Sequence, residues 1–190
     1  MKAVAHTGRD IVSLVDIELP KPTPGPRDLL VKVEAVSVNP VDTKQRKTDV
    51  AAARVLGWDA AGMVAAVGAQ VTLFKPGDAV YYAGDVTRPG CNSEFHLVDE
   101  RIVGRKPKSL DWAHAAAMPL TAITAWESFF DRMKVVRGKS LLVINGAGGV
   151  GSIGIQIVPW LSMAIPVFTS ISVAPIGASG VPPSNPRSRP

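Results

Sequence analysis

The sequence predicts an α/β chain: a β-barrel region comes first, and the beginning of a doubly wound parallel sheet follows it without being completed. Three observations carry that prediction. Short segments of period two, separated by proline and glycine turns, fill the first part of the chain; the composition turns helical after Ser109; and an apolar strand then runs straight into a glycine-rich loop. At 190 residues, 46% of them hydrophobic and 19% charged, the chain holds one packed domain plus part of a second.

Lys2 to His6 and Ile11 to Leu19 read as strands, and "PKPTPGPRD" after them as a turn region. In "LLVKVEAVSVN", Leu29, Val31, Val33 and Ala35 alternate with Leu30, Lys32 and Glu34, the period of a strand with one buried face. A strand leading into Gly68, another at Val71 to Phe74, a turn at Pro76–Gly77–Asp78 and a strand at Ala79 to Tyr82 follow. "EFHLVDERIVGRKP" supplies two more short strands.

From Ser109, a candidate N-cap, alanine-rich helical stretches run to a break at Pro119, where a second helix can start. They feed "SLLVIN" and then "GAGGVG", which places strand, loop and helix in the βα order of a doubly wound sheet. Gly146, Gly148 and Gly151 satisfy G-x-G-x-x-G directly after an apolar strand. The first glycine allows the tight turn, the second lets backbone approach a pyrophosphate, and the third lets helix pack on strand while free helix N–H groups face the phosphates.

The net charge of +5 does not point to nucleic acid. The densest basic group, Arg101, Arg105, Lys106 and Lys108, has no interleaved aromatics and reads as a solvated face. Cys91 is the only cysteine, so neither an intrachain disulfide nor a cysteine-based zinc cage can form, and a reducing cytoplasmic setting is expected. No signal peptide is readable in "MKAVAHTGRDIVSLVDIELP".

Several segments in order, "VSVNPVDTK", "VLGWDAAGMV", "VTLFKPGDAVYYAG", "NSEFHLVDERIVGRKPKSL", "MPLTAITAWE" and "VINGAGGVGSIGIQI", resemble the medium-chain dehydrogenase/reductase superfamily on its quinone oxidoreductase side. They are similar in particular to its zinc-type alcohol dehydrogenase-like members, from Met1 to about Val158. The resemblance implies a GroES-like β-barrel domain over residues 1–120 and the start of a Rossmann domain over 121–158, with NADP or NAD as cofactor. It also implies roles for single residues. Asn39 and Asp42 of "NPVD" would be the catalytic residues beside nicotinamide and substrate, Thr124 would help hold the nicotinamide, and Gly146, Gly148, Gly149, Val150 and Gly151 would hold the pyrophosphate. Read alone, Asn39 can equally shape a turn before Pro40, Asp42 can cap a helical turn, and Thr124 can bond back to its own helix.

Zinc-dependent relatives bind their catalytic metal with a cysteine, the histidine of a Gly-His-Glu motif and a later cysteine. The corresponding positions here are Asn39, Trp58 and Leu120, so the resemblance carries no metal site, and the lone Cys91 rules out the structural zinc lobe. Without a Lewis acid, the chemistry left is hydride delivery from a reduced nicotinamide to a quinone, activated alkene or carbonyl. The alternative is a barrel module that folds without binding cofactor. Family members are commonly homodimers, paired through a domain not found in these residues.

Past Val158 the pattern changes. Pro159 should end or kink the glycine-loop helix; no Asp or Glu follows Asp131; and seven of the sixteen prolines lie from Pro159 onward. Residues 159–190 therefore read as a disordered Pro/Ser-rich tail without a second parallel strand or a match to the family, the product of a shifted frame or truncated gene. The apolar stretch Ile153 to Ala174 is close to spanning length, but Pro159, Pro166 and Gln156 argue against a membrane segment.

Overall fold

A computed structural model of the chain describes residues 1–8, 14–47, 52–136, 141–161 and 168–170. The fold is α/β, and it divides into two compact units, Met1–Lys134 and Val135–Pro190.

The first unit is built from two antiparallel sheets. β1 (Lys2–His6) pairs with β2 (Leu14–Glu18) from Lys2↔Glu18 to His6↔Leu14, and with β4 (Arg54–Val55) on its other edge. The expected strand at Ile11 to Leu19 is thus realised over its second half, its first residues lying outside the described ones. The larger sheet runs β7-β3-β5-β6-β8, with β3 at Asp28–Ser37, β5 at Asp59–Val67, β6 at Ala79–Ala83, β7 at Phe95–Asp99 and β8 at Val103–Arg105. Its core gathers Leu29, Val31, Ala60, Val64, Val80, Tyr82, Cys91 and Val98. Leu30 departs from the predicted alternation and is buried beside Leu29 and Val31, because the β3–β5 register shifts between Leu30 and Val31. A bulge turns successive side chains to the same face.

Val71 to Phe74 is not a strand. Its backbone donors are taken by a side chain: the Thr72 and Leu73 N–H groups both donate to the buried Glu100 carboxylate at 2.8 Å, while Arg105 donates to the Leu73 carbonyl at 3.0 Å. Groups satisfied in this way have nothing left to offer a ladder. The turn that follows is as expected, with Asp78 Oδ2 accepting from the Lys75 N–H and Gly77 at φ +91, where a side chain would be strained.

α1 (Pro40–Arg46) follows β3, and α2 (Trp112–Ala116) packs its small Ala115 and Ala116 against Ala61 of β5. The cap of α2 is Asp111, whose Oδ1 accepts from the His114 N–H at 2.8 Å, and not Ser109. An Asp two residues nearer the helix reaches the third amide of the first turn, which Ser109 cannot. α3 (Pro119–Trp126) starts at the predicted proline and widens into a π-helix over Glu127–Arg132.

The second unit begins with β9 (Leu142–Ile144), continues through the glycine loop into α4 (Gly149–Leu161), and returns in β10 (Phe168–Ser170). β10 pairs parallel with β9, Phe168 opposite Leu142 and Ser170 opposite Ile144, so a short strand completing a βαβ unit lies within residues 159–190, expected to be an unstructured tail. Phenylalanine and threonine favour the extended state, a local signal outweighed in that reading by the surrounding prolines. α4 also runs two residues past Pro159. A proline near a helix end deletes one i→i−4 bond and leaves the bonds beside it available. No helix among the described residues is long and apolar enough to cross a membrane.

Inside the barrel, Tyr82 Oη lies 3.0 Å from His96 Nδ1, and His96 Nε2 lies 3.0 Å from the Pro89 carbonyl. A carbonyl only accepts, so Nε2 carries the proton and Nδ1 accepts from the tyrosine. Burial pushes the imidazolium pKa down to about 4. A group depressed in the folded state adds stability above its ordinary value of 6.5 and loses it as pH falls toward 4, here by about 3 kcal/mol. Urea unfolding at pH 7 and pH 4 should therefore show the stability difference between the native chain and His96→Gln shrinking by about that amount; a constant difference would contradict neutral burial.

Candidate functional site

In the first unit the site is organised around a carboxylate at the head of β5. β3 ends at Ser37, the chain turns, and Asn39 caps α1, whose first residue is Pro40. The Asn39 N–H donates to Asp42 Oδ2 at 2.6 Å, and the Asp42 N–H donates to the Asn39 carbonyl at 3.0 Å. This closed cap explains why an Asn-Pro-x-Asp run folds locally as it does. The Asn39 side chain also reaches Asp59: its Nδ2 donates to Asp59 Oδ2 at 3.0 Å, while Asp59 Oδ1 accepts the Leu120 N–H from the first turn of α3 at 3.1 Å. The Cys91 thiol donates to the Asp59 carbonyl at 3.6 Å. Asn39, Asp42 and Asp59 are all buried.

Burial raises the Asp59 pKa to about 6, and the nearby Asp42 adds to that rise; the Asn39 and Leu120 donors oppose it without cancelling it. Burial, with Asp42 and Asp59 adding to it, pushes the Cys91 thiol up to about 12, so it stays protonated at neutral pH and is a poor nucleophile. Two buried polar atoms of this region, Asp42 Oδ1 and Trp58 Nε1, have no protein partner among the described residues.

The positions that carry zinc ligands in zinc-dependent relatives do converge: Asn39 and Leu120 both bond to Asp59, and Trp58 precedes it in the chain. They hold a carboxamide, a leucine and an indole, a donor set that does not fit zinc. No group of three His, Cys, Asp or Glu side chains able to hold a metal occurs among the described residues. Thr124 lies on α3 one turn beyond Leu120, exposed, with its hydroxyl donating back to the Leu120 carbonyl at 2.7 Å.

The second unit carries the glycine loop. β9 ends at Ile144, and Asn145 takes the left-handed conformation at φ +59. The Gly148 N–H closes back on the Asn145 carbonyl at 2.9 Å, and the Ser152 N–H bonds to the Gly148 carbonyl at 2.8 Å as the helix begins. A Cβ on Gly148 would sit 2.6 Å from Asn145 Nδ2. One on Gly151 would overlap the Asn145 carbonyl oxygen and lie 2.8 Å from Gly146 Cα. Gly149, Val150 and Gly151 form the first turn of α4, with Val150 exposed, so their early N–H groups are free of helix acceptors. A loop whose backbone leaves no room for a Cβ at Gly151, opening on a helix N-terminus, fits the pyrophosphate of a dinucleotide.

Sequence reasoning missed Asp59, the Leu120 amide and Asn145. A lone acid heading a strand of alanine, glycine and methionine was the available signal for Asp59; an asparagine before the first glycine was the signal for Asn145. Nothing local marks a backbone amide.

Residues 25–108 match the alcohol dehydrogenase GroES-like domain. A zinc-type alcohol dehydrogenase-like protein of Staphylococcus aureus (strain COL) is 55% identical over 144 residues, which cover 72% of this chain and 43% of that protein. The 2-methylene-furan-3-one reductase of Solanum lycopersicum is 37% identical over 195 residues, covering 95% of this chain and 48% of the reductase. The two alignments thus take in 72% and 95% of this chain. Among solved structures, a protein from Rhizobium etli CFN 42 described as a zinc-dependent alcohol dehydrogenase superposes with a TM-score of 0.84 at 57% identity, over 90% of this chain and 53% of its own. A mycobacterial protein solved with NADPH has a TM-score of 0.77 at 32% identity, over 92% and 54%. The chain spans about half the length of the relatives it matches.

The close approach at the loop is open to test. Gly151→Ala should displace the Asn145 and Gly146 amide resonances and lower the melting temperature, whereas unmoved resonances would mean that helix and strand do not meet there.

Proposed function

This chain belongs to the medium-chain dehydrogenase/reductase superfamily, and we propose that it serves an NAD(P)H-dependent, zinc-independent oxidoreductase acting on a quinone, activated alkene or activated carbonyl. The observation that carries the proposal is the glycine cradle between β9 and α4, closed to side chains at Gly148 and Gly151 and set in a βαβ unit. A bound reduced nicotinamide supplies the hydride for such an acceptor. The residues of the chain supply binding and orientation. In the reading the motifs suggest, the free amides of Gly149 to Gly151 would hold phosphate oxygens, Asn39 and Asp42 would be the catalytic residues, and Thr124 would support the nicotinamide.

NADPH is the preferred form in this proposal. The carboxylate that bonds an adenosine 2′-hydroxyl belongs near the end of the second parallel strand. No residue from Arg132 to Pro190 is acidic, so nothing there would repel a 2′-phosphate. The acceptor class is supported by the reductase named among the relatives and by a donor set around Asp59 that does not fit a Lewis acid.

Fluorescence titration of the purified chain should show NADPH binding at least tenfold tighter than NADH. Reduction of a small quinone by the full-length protein should withstand EDTA dialysis, with no turnover of primary alcohols. Absence of any NADPH binding with cooperative unfolding retained would instead favour a barrel module without cofactor, and activity lost on chelation and restored by zinc would overturn the metal-free reading.

A further inference from the structure

Resting on the reading that Asn39 stands at the reacting end, we propose that Asp59 is a positioning residue: it acts through Asn39 by dictating which end of that carboxamide is held and which is left to the ligand. A carboxylate only accepts hydrogen bonds, so the Asn39 group 3.0 Å from Asp59 Oδ2 must be the NH2. The second oxygen is committed to the Leu120 N–H, so the carboxylate is tied at two points by two different elements. Its backbone is equally restrained, since Asp59 pairs with Ser37 on one side and Ala83 on the other. The Asn39 backbone is pinned in turn by Asp42 through the cap of α1. With both partners held, the one freedom left to the Asn39 amide is a flip about its terminal torsion, and an ionised Asp59 forbids it.

The groups facing Asp59 from the packed elements are few: Asp42 from α1, the neutral Cys91 thiol from the segment between β6 and β7, and the Leu120 amide from α3. None is a cation. With burial, this lets Asp59 take up a proton near pH 6, which turns one acceptor oxygen into a donor and releases the Asn39 amide. A purely structural tie between β5 and α3 would leave NADPH affinity indifferent to the state of Asp59, even though the Asn39 NH2 bonded to it moves.

The decisive measurement follows the Asn39 side-chain NH2 resonances of the 15N-labelled chain between pH 4.5 and 8, in the native sequence and in Asp59→Asn, together with NADPH titration of both. We expect the native NH2 pair to move with a midpoint near 6, that movement to vanish in Asp59→Asn, and NADPH affinity to fall about tenfold in the variant, the scale of one charge-assisted hydrogen bond. An NH2 pair insensitive to pH in the native chain, or unmoved by Asp59→Asn, overturns the proposal. So does an altered NH2 pair with unchanged NADPH affinity, which would reduce Asp59 to a structural tie. If Asp59→Asn does not fold, the native titration alone decides. A native chain that binds no NADPH refutes the cofactor reading instead, while the NH2 titration still reports on Asp59.

Discussion

A carboxylate removed from water at the head of β5 is the constraint from which the rest of the first unit follows. Burying Asp59 carries a desolvation cost that only donors can offset, and β5 itself has none to spare, because its backbone is used in the ladders to β3 and β6. The donors must come from elsewhere. They come from the corner between β3 and α1 through Asn39, and from the N-terminus of α3 through Leu120. One side chain therefore sets where a strand, a capped helix and a second helix meet. Pro40 and Pro119, each at the start of its helix, keep those entries rigid.

A second buried carboxylate shows what distinguishes a structural acid from a poised one. Glu100 accepts the Thr72 and Leu73 amides and the Arg27 guanidinium at 3.0 Å. The Leu73 N–H, with Thr72 and Arg27 beside it, holds the Glu100 carboxyl below the ordinary glutamate value. Asp59 has two neutral donors, no cation and an acidic neighbour, and burial wins. The first arrangement locks a loop that would otherwise pair as a strand. The second leaves a group near its titration point beside a polar side chain, the pattern expected where chemistry or binding takes place.

The glycine loop works by exclusion of side chains. Left-handed Asn145 turns the backbone so that its carbonyl occupies the space a Cβ on Gly151 would need, while its side chain crowds Gly148. The same compactness leaves the first amides of α4 without intrahelical acceptors, the kind of site that suits a phosphate.

Much of the fold was legible in local pattern. Period two in Lys2–His6 and Asp28–Ser37, the Pro76–Gly77 turn, the helix start at Pro119 and the spacing of Gly146, Gly148 and Gly151 each state a local rule that the structure obeys. The same sequence places Asn39 and Asp42 three residues apart, enough to read a cap. What it cannot state locally is that Asp59 lies opposite Asn39 and beneath Leu120, because those partners are 20 and 61 residues away and meet only when sheet and helices pack. For the same reason Val71–Phe74 reads as a strand until Glu100, 27 residues from Leu73, takes its amides. β10 was likewise hidden, since a parallel strand declares itself only by the neighbour it finds. Most element types and the glycine spacing of the β9–α4 loop were determined by the sequence alone, whereas the strand that Val71–Phe74 does not form, the pairing of β10 and the burial of Asp59 were decided only by tertiary structure, because pairing and desolvation depend on everything that surrounds a group.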